Sequence, residues 1–392
     1  MEKEITTEEA KAVLSAAAPK KRFVGIDIVK ILAVFLVICI HFFLYNGFYQ
    51  ETIDEPVEMI PISLRWFAYC CVPLFMITTG YLMKNKTLSK KYYTGLIKII
   101  VIYLIMSVIC AVFDHLHFQK EFTAWTFIRG LFMFTNAPYS WYVKYQICIM
   151  LLIPFINLAF NGLKNKRQQL TLVVTAVALT AFARSFFIGF DRDTQIQILP
   201  NYFDASYGIA YYLAGAYIRE NPPKRCLSNK LIFLAGLVLS IGWCTVTSYY
   251  DSSLNADNMF TFASWHYNDY GAWPVFLSSL FIFLLLFDIS SNNRVIIRIL
   301  STLSEATLGC YLFSYILDNS LDNSRYADFN GKYPEMTDRL IHGPEIILVN
   351  FAASMGAALV IHNLYKLAEW LIKKICSRRK LQETQENQEQ TI

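Results

Sequence analysis

Residues 22–45 read RFVGIDIVKILAVFLVICIHFFLY, an apolar run long enough to cross a bilayer as one helix. It carries Asp27, Lys30 and His41. An ionisable group inside a membrane costs about 2.5 to 3.5 kcal/mol on insertion scales, so each asks for a functional reason. Lys30 and His41 are eleven residues apart, which at about 100° per residue returns to within about 20° of one helix face and climbs about 16 Å. One face therefore carries a cation towards one side of the membrane and an imidazole towards the other. No small-residue cleavage site follows His41, so the segment reads as a retained signal anchor rather than a cleaved leader.

Working outward, the 392-residue chain is 55% hydrophobic and only 17% charged, more apolar than a soluble globular protein can hide. The fold class it predicts is all-α, a polytopic membrane helical bundle. A net charge of +5 informs less than how Lys and Arg are shared between loops, and no nucleic-acid partner is expected. Nine cysteines fall almost entirely in apolar segments, where they act as small hydrophobes. Without a CxxC pair they support neither a zinc site nor a disulfide framework.

Windows of about 20 residues, the length a core about 30 Å thick requires, predict ten transmembrane helices near residues 24–45, 60–83, 92–113, 139–160, 169–189, 203–219, 229–250, 270–288, 295–318 and 344–365. The sixth is the weakest, short and rich in Gly and Ala, which suits close helix packing. Loop charge gives an independent test, because cytoplasmic loops carry the excess of Lys and Arg. The loops after even-numbered spans hold Lys84, Lys86, Lys90 and Lys91; Lys164, Lys166 and Arg167; Arg219, Lys224, Arg225 and Lys230; and Arg294 and Arg298. Odd-numbered loops are poorer in bases and hold Glu51, Asp54, Glu55 and Glu58. The alternation predicts N- and C-termini on the cytoplasmic side.

The domain reading is then a cytoplasmic N-terminal leader over residues 1–21, a membrane domain over 22–370 and a cytoplasmic tail over 371–392. The tail's Gln- and Glu-rich end lacks apolar periodicity and is expected to be disordered. On the outer side, residues 122–136 are apolar but too short to span and predict an interfacial or re-entrant helix. Residues 318–343 predict a partly ordered polar cap.

This topology gives the polar groups depths. His41, Arg65, Lys144, Arg184 and Asp204 fall in the outer third of the membrane from five different spans, as a water-accessible chamber opening outward would require, while Glu305 lies nearer the middle. Simpler roles stand beside this one. A lone His can be a packing donor, Lys144, Arg184 and Lys30 can snorkel to headgroups, and Asp204 can cap its helix. Arg65 is harder to explain away, beside Trp66 in a segment that continues to a bend at Pro73. Asp114, His115 and His117 are close enough to suggest a metal, but two near histidines in a loop are more often incidental, and none is expected.

These residues resemble the acyltransferase 3 family of integral membrane acyltransferases in its stand-alone form. Arg22 to Lys30, followed after ten residues by His41, is similar to the family's first-helix signature of a base, ten residues and His. Arg65, Val72-Pro73-Leu74-Phe75 and Thr79-Gly80-Tyr81-Leu82 match its second helix, Ser140-Trp141-Tyr142-Val143 the entry to its fourth, and Leu308-Gly309-Cys310-Tyr311-Leu312 its ninth. There are departures: Tyr139 stands where the family often has His, Thr79 replaces Ser, and Ser314 or Tyr315 stands where a His commonly closes the ninth helix.

The resemblance implies an O-acyltransferase of the bacterial cytoplasmic (plasma) membrane that moves an acyl group, usually acetyl, from cytosolic acyl-CoA to a hydroxyl of an extracytoplasmic glycan, glycolipid or lipid-linked sugar. Acyl-CoA is then a co-substrate, with no cofactor bound. On this reading His41 and Arg65 are catalytic, the first as general base or acyl carrier and the second as oxyanion or thioester partner. Lys30 and Arg22 bind acyl-CoA. Asp27, Trp141, Tyr142, Lys144, Arg184, Asp204 and Glu305 are acceptor or chamber residues. The competing readings are a transporter or flippase for a small polar or lipid-linked substrate, since buried charges suit it equally, and a membrane sensor or scaffold.

Overall fold

The computed structural model describes residues 22–51, 55–181, 186–187, 195–196, 201–253, 267–319 and 324–389. The described residues are all-α apart from a two-residue antiparallel pairing of Phe186–Phe187 (β1) with Gln195–Ile196 (β2). In hydrocarbon every backbone polar group has to be satisfied within the protein, and a helix does this within its own segment. Among the described residues, seven helical stretches are long and apolar enough to cross a membrane: Val24–Tyr45, Pro56–Met83, Lys90–Phe118, Ala124–Asn161, Leu227–Ser253, Arg294–Asn319 and Met336–Leu371. The other three expected spans fall on shorter helices, Lys166–Ala181, Tyr207–Glu220 and Trp273–Leu286, of 16, 14 and 14 residues.

The helices are α1 (Val24–Tyr45), α2 (Met59–Tyr69), α3 (Cys71–Met83), α4 (Lys90–Thr94), α5 (Ile97–Phe118), α6 (Ala124–Met133), α7 (Trp141–Asn161), α8 (Lys166–Ala181), α9 (Tyr207–Glu220), α10 (Leu227–Ser253), α11 (Trp273–Leu286), α12 (Arg294–Asn319), α13 (Ser324–Lys332) and α14 (Met336–Glu389). Two prolines explain local features. Pro73 sits in the first turn of α3, where its missing N–H costs little, and the second span breaks just before it at Cys70. Pro154 stays inside α7 and cannot donate to the carbonyl of Met150, which instead accepts the Tyr92 hydroxyl at 2.6 Å.

Contacts between helices set their directions. Lys30 reaches Ser304 and His41 reaches Asp318, so α1 and α12 run parallel. Asn350 meets Asp318 and His362 meets Glu305, so α14 runs back antiparallel to both. Tyr81 packs edge-on against Phe23, which turns α3 back along α1. The first and last helices thereby meet at one end of the bundle, where Arg22 and Lys366 share Glu305.

The weak sixth span, α9, is among the most enclosed helices. A Cβ on Gly215 would overlap the carbonyl of Ile77, and one on Gly80 the carbonyl of Tyr212, so α3 and α9 cross at backbone contact. Small residues permit this approach, which is how helices gain packing where lipid supplies no hydrophobic drive.

At the opposite end, residues 122–136 fold as expected into a short helix, α6, capped by the reciprocal Thr123 and Thr126 side chains. Its Trp125, Phe132 and Met133 are exposed apolar groups, as an interfacial position requires. The 318–343 segment carries α13, whose buried Tyr326 and Phe329 pack on Phe42. Arg339 ties the neighbouring turn by donating to the Asn46 carbonyl at 2.9 Å and pairing with Glu51 at 2.8 Å. Gly47 in that turn has φ +85, a left-handed backbone that favours glycine. Helical backbone in α14 persists to Glu389, where composition predicts disorder from residue 371. The Lys, Glu and Gln there are good helix formers, and a helix already nucleated upstream extends at little cost.

Candidate functional site

The polar residues of α1 divide into two groups at opposite ends of the helix. At the N-terminal end Arg22 binds Asp27 through Nε and Nη2 at 2.8 and 3.1 Å and reaches Glu305 at 2.9 Å. The Asp27 hydrogen bond holds the Arg22 guanidinium above its ordinary, already high, pKa, with Glu305 adding to the effect, so it stays charged. Glu305 also accepts from Lys366 at 2.9 Å and lies 3.3 Å from the buried His362. Asp27 and Glu305, expected among chamber residues, thus stand together in the cluster around Arg22.

Lys30 lies two turns further in. Its ammonium donates to the backbone and side-chain oxygens of Ser304 at 2.5 and 3.0 Å and borders a cavity of about 360 Å³. Lys98, Thr79, Gln146, Tyr142 and Tyr311 also line it. Tyr142 donates to Gln146 at 2.8 Å, and Gln146 donates to Thr79 at 3.3 Å, a polar chain across otherwise apolar walls. The Tyr311 hydroxyl donates to the Tyr139 carbonyl, which joins the wall of this cavity to the second group.

In that second group the ring of His41 lies on Tyr139, centroid to centroid 3.9 Å, and its Nδ1 is 3.4 Å from the Asp318 carboxylate. The Asp318 side chain is fully buried while His41 keeps 14% exposure. Asp318 accepts from the Tyr139 hydroxyl at 2.9 Å and from Asn350 Nδ2 at 2.5 Å, with Tyr326 at 3.4 Å. A carboxylate so placed faces one ring nitrogen and leaves the other for a substrate. Sequence reading missed Asp318, Asn350 and Tyr45, whose hydroxyl meets that of Tyr139 at 3.1 Å. Nothing in a linear pattern pairs positions 41, 139, 318 and 350. Tyr139 occupies the place where a second His was looked for, and it supplies a hydroxyl and a ring face instead.

The contacts of Arg65 lie elsewhere. It is fully buried, its Nε donating to the Tyr49 hydroxyl at 3.1 Å and its Nη2 to Asn268. Its guanidinium lies over the rings of Tyr69 and Trp66 at 4.2 and 4.5 Å. Trp141 is half exposed and stacks on Tyr270 at 5.8 Å, and Tyr270 stacks on Tyr69 at 4.4 Å, so an aromatic series runs from Arg65 towards the entry of α7. Lys144 is exposed. Asp204 is buried, in the 3-10 turn Asn201–Ser206 before α9. Arg184 lies outside the described residues. Asp114, His115 and His117 do not converge on one point: Asp114 binds Tyr315 and the Lys120 ammonium, His115 meets the Lys120 carbonyl, and His117 stacks on Phe113.

The family model described as an acyltransferase domain, Acyl_transf_3, matches residues 23–323. The chain belongs to the acyltransferase 3 family. With its apolar helices, this makes it a multi-pass membrane acyltransferase. No curated protein and no solved structure matches it. The match includes His41, Lys30, Tyr139 and Asp318, whereas α14, which supplies Asn350, His362 and Lys366, lies beyond it.

Proposed function

We propose that the chain is a bacterial plasma-membrane O-acyltransferase, ten-pass with both termini in the cytosol, that moves an acetyl group from cytosolic acetyl-CoA to a hydroxyl of an extracytoplasmic glycan or lipid-linked sugar. The observation that carries this reading is the cavity with Lys30 on its wall, whose Tyr311 bonds to the residue stacked on His41. The arrangement suits a thioester that enters from the Lys30 end and meets a hydroxyl at the other.

Lys30, Lys98 and Arg22 supply cationic groups at the donor end, where Lys acts on phosphates as a point charge. Tyr142, Gln146 and Thr79 offer hydrogen bonds along the pantetheine arm. At the far end neutral His41 removes the acceptor's hydroxyl proton. The alkoxide oxygen bonds to the thioester carbonyl carbon, the C–S bond breaks, and the CoA thiolate takes the proton from the imidazolium. Asp318, 3.4 Å from Nδ1, faces that nitrogen and so leaves Nε2 for the proton. Arg65, wedged between aromatic rings and bonded to Tyr49 and Asn268, braces the outer ends of α1, α2 and α11 in this reading.

The test is His41→Ala in cells whose own copy is deleted, reading acetate released by alkali from purified envelope glycan. The expected result is loss of the protein-dependent acetate at unchanged expression; wild-type levels would remove His41 from the chemistry. Purified protein incubated with labelled acetyl-CoA and de-O-acetylated envelope glycan as acceptor separates an enzyme, which frees CoA thiol in a His41-dependent manner, from a transporter, which does not.

A further inference from the structure

At the same end of the bundle as His41 lies a second pocket, of about 140 Å³, between the end of α5, the 119–122 turn and α6. Its lining mixes a buried carboxylate, Asp114, with Lys120, Thr135 and Asn136, and closes on one side with Phe122 and Phe127. The volume is that of a single six-membered ring. Polar groups distributed around an aromatic wall are the chemistry that takes a sugar, whose hydroxyls need hydrogen-bond partners and whose C–H face packs on a ring.

The pocket is built rigidly. Among the described residues only two besides glycine have left-handed backbone, Gln119 at φ 54 and Phe134 at φ 58, and both lie in the turns that frame it. Such conformations are strained and persist where surrounding contacts hold them. Here the Phe134 ring stacks on Tyr103 at 4.5 Å, its carbonyl accepts from Ser140, and Asn136 donates to the Phe127 carbonyl at 2.8 Å. A Cβ on Gly130 would displace the Asn136 amide from this floor.

The pocket is also joined to the His41 group. Asp114 accepts from the Tyr315 hydroxyl at 2.8 Å, and the Tyr315 ring lies 5.3 Å from that of Tyr139, which carries His41 on its other side. Lys120 covers the remaining carboxylate oxygen at 2.6 Å but is itself more than half exposed, so its ammonium can give way to a ligand hydroxyl.

We propose that this pocket binds one sugar ring of the acceptor, beside the ring that presents its hydroxyl to His41. The proposal rests on the acyl-to-glycan reading above, but its test does not use acyl transfer. Wild-type protein in nanodiscs, without acyl-CoA, is mixed with the methyl glycosides of glucose, galactose, rhamnose and N-acetylglucosamine, and saturation transfer from protein to sugar protons is recorded by NMR. At least one glycoside should receive saturation, and Thr135→Trp, which fills the pocket, should raise its half-saturation concentration about tenfold or more, the scale of one lost contact. Phe122→Ala, on the half-exposed wall, should act in the same direction and decides the matter should Thr135→Trp not fold. Leu116→Ala, at an exposed position of α5 outside the pocket lining, should match wild type. No saturation of any glycoside by wild type, or saturation undiminished in folded pocket variants, overturns the proposal. Absence of His41-dependent CoA release would instead overturn the acyltransfer reading while leaving sugar binding to be seen.

Discussion

Asp318→Asn keeps the volume of the side chain and removes its charge, and so isolates what the carboxylate does for His41. The two atoms are 3.4 Å apart, an ion-pair contact rather than a hydrogen bond, with Asp318 fully buried; a hydrogen bond to a charged partner, formed as the protonated ring tightens onto the carboxylate, is worth about 1.5 to 3 kcal/mol. If that energy is realised in the transition state, where the imidazole carries the acceptor's proton, turnover falls by about 10- to 150-fold, at about 1.4 kcal/mol per factor of ten. The substitution also turns an acceptor-only group into one with an amide. Tyr139 and Asn350 both donate to it now, so one donor would face another at a cost of about 1 to 3 kcal/mol in stability. That is less than the about 5 to 15 kcal/mol of a typical domain, and the protein should fold. The assay is CoA-thiol release against acyl-CoA concentration, with saturating acceptor glycan and at matched amounts of protein. Because Lys30 sits about 16 Å along α1 from His41, KM for acyl-CoA should hold while kcat falls. A variant with kcat within twofold of wild type, or one whose loss lies wholly in KM, would refute the positioning role.

At the donor end, Lys30→Met removes the cation that Ser304 holds; titrating acyl-CoA should show KM raised by about tenfold or more, from one lost charge-assisted bond, with kcat less affected. Gly215→Ala should destabilise the bundle by about 1 to 3 kcal/mol through overpacking against Ile77, seen as a lower Tm in detergent. Gly242→Ala, where a Cβ meets nothing within 4 Å, should shift Tm upward, since alanine gains about 0.8 to 1 kcal/mol over glycine inside a helix.

The spans that a hydropathy window finds most easily, such as residues 24–45 and 92–113, return as the long helices α1 and α5. Their apolar composition is a local property, and so is the exposed apolar face of α6. The site was legible in part for the same reason. Lys30 and His41 share a helix face by simple periodicity, and their roles differ because that face spans the two ends of the bundle. Glu305 shows the limit of depth arithmetic. Counting along its own span puts it near the middle, but Arg22 folds back along α1 to meet it and Lys366 arrives from α14, so it belongs to the end cluster.

The sequence by itself determined the helical membrane character, the family and the polar seam of α1, because bilayer thickness, helical period and a ten-residue motif spacing are all read along one strand of chain. Only the tertiary structure decided that His41 faces Asp318 across Tyr139 and that Arg65 is sheathed in aromatic rings away from those partners. It likewise joined Asp114 to the same network through Tyr315. These pairings depend on which helices are neighbours and in what register. That is set by where small residues such as Gly80 and Gly215 let backbones touch, a property of two surfaces at once that no single segment contains.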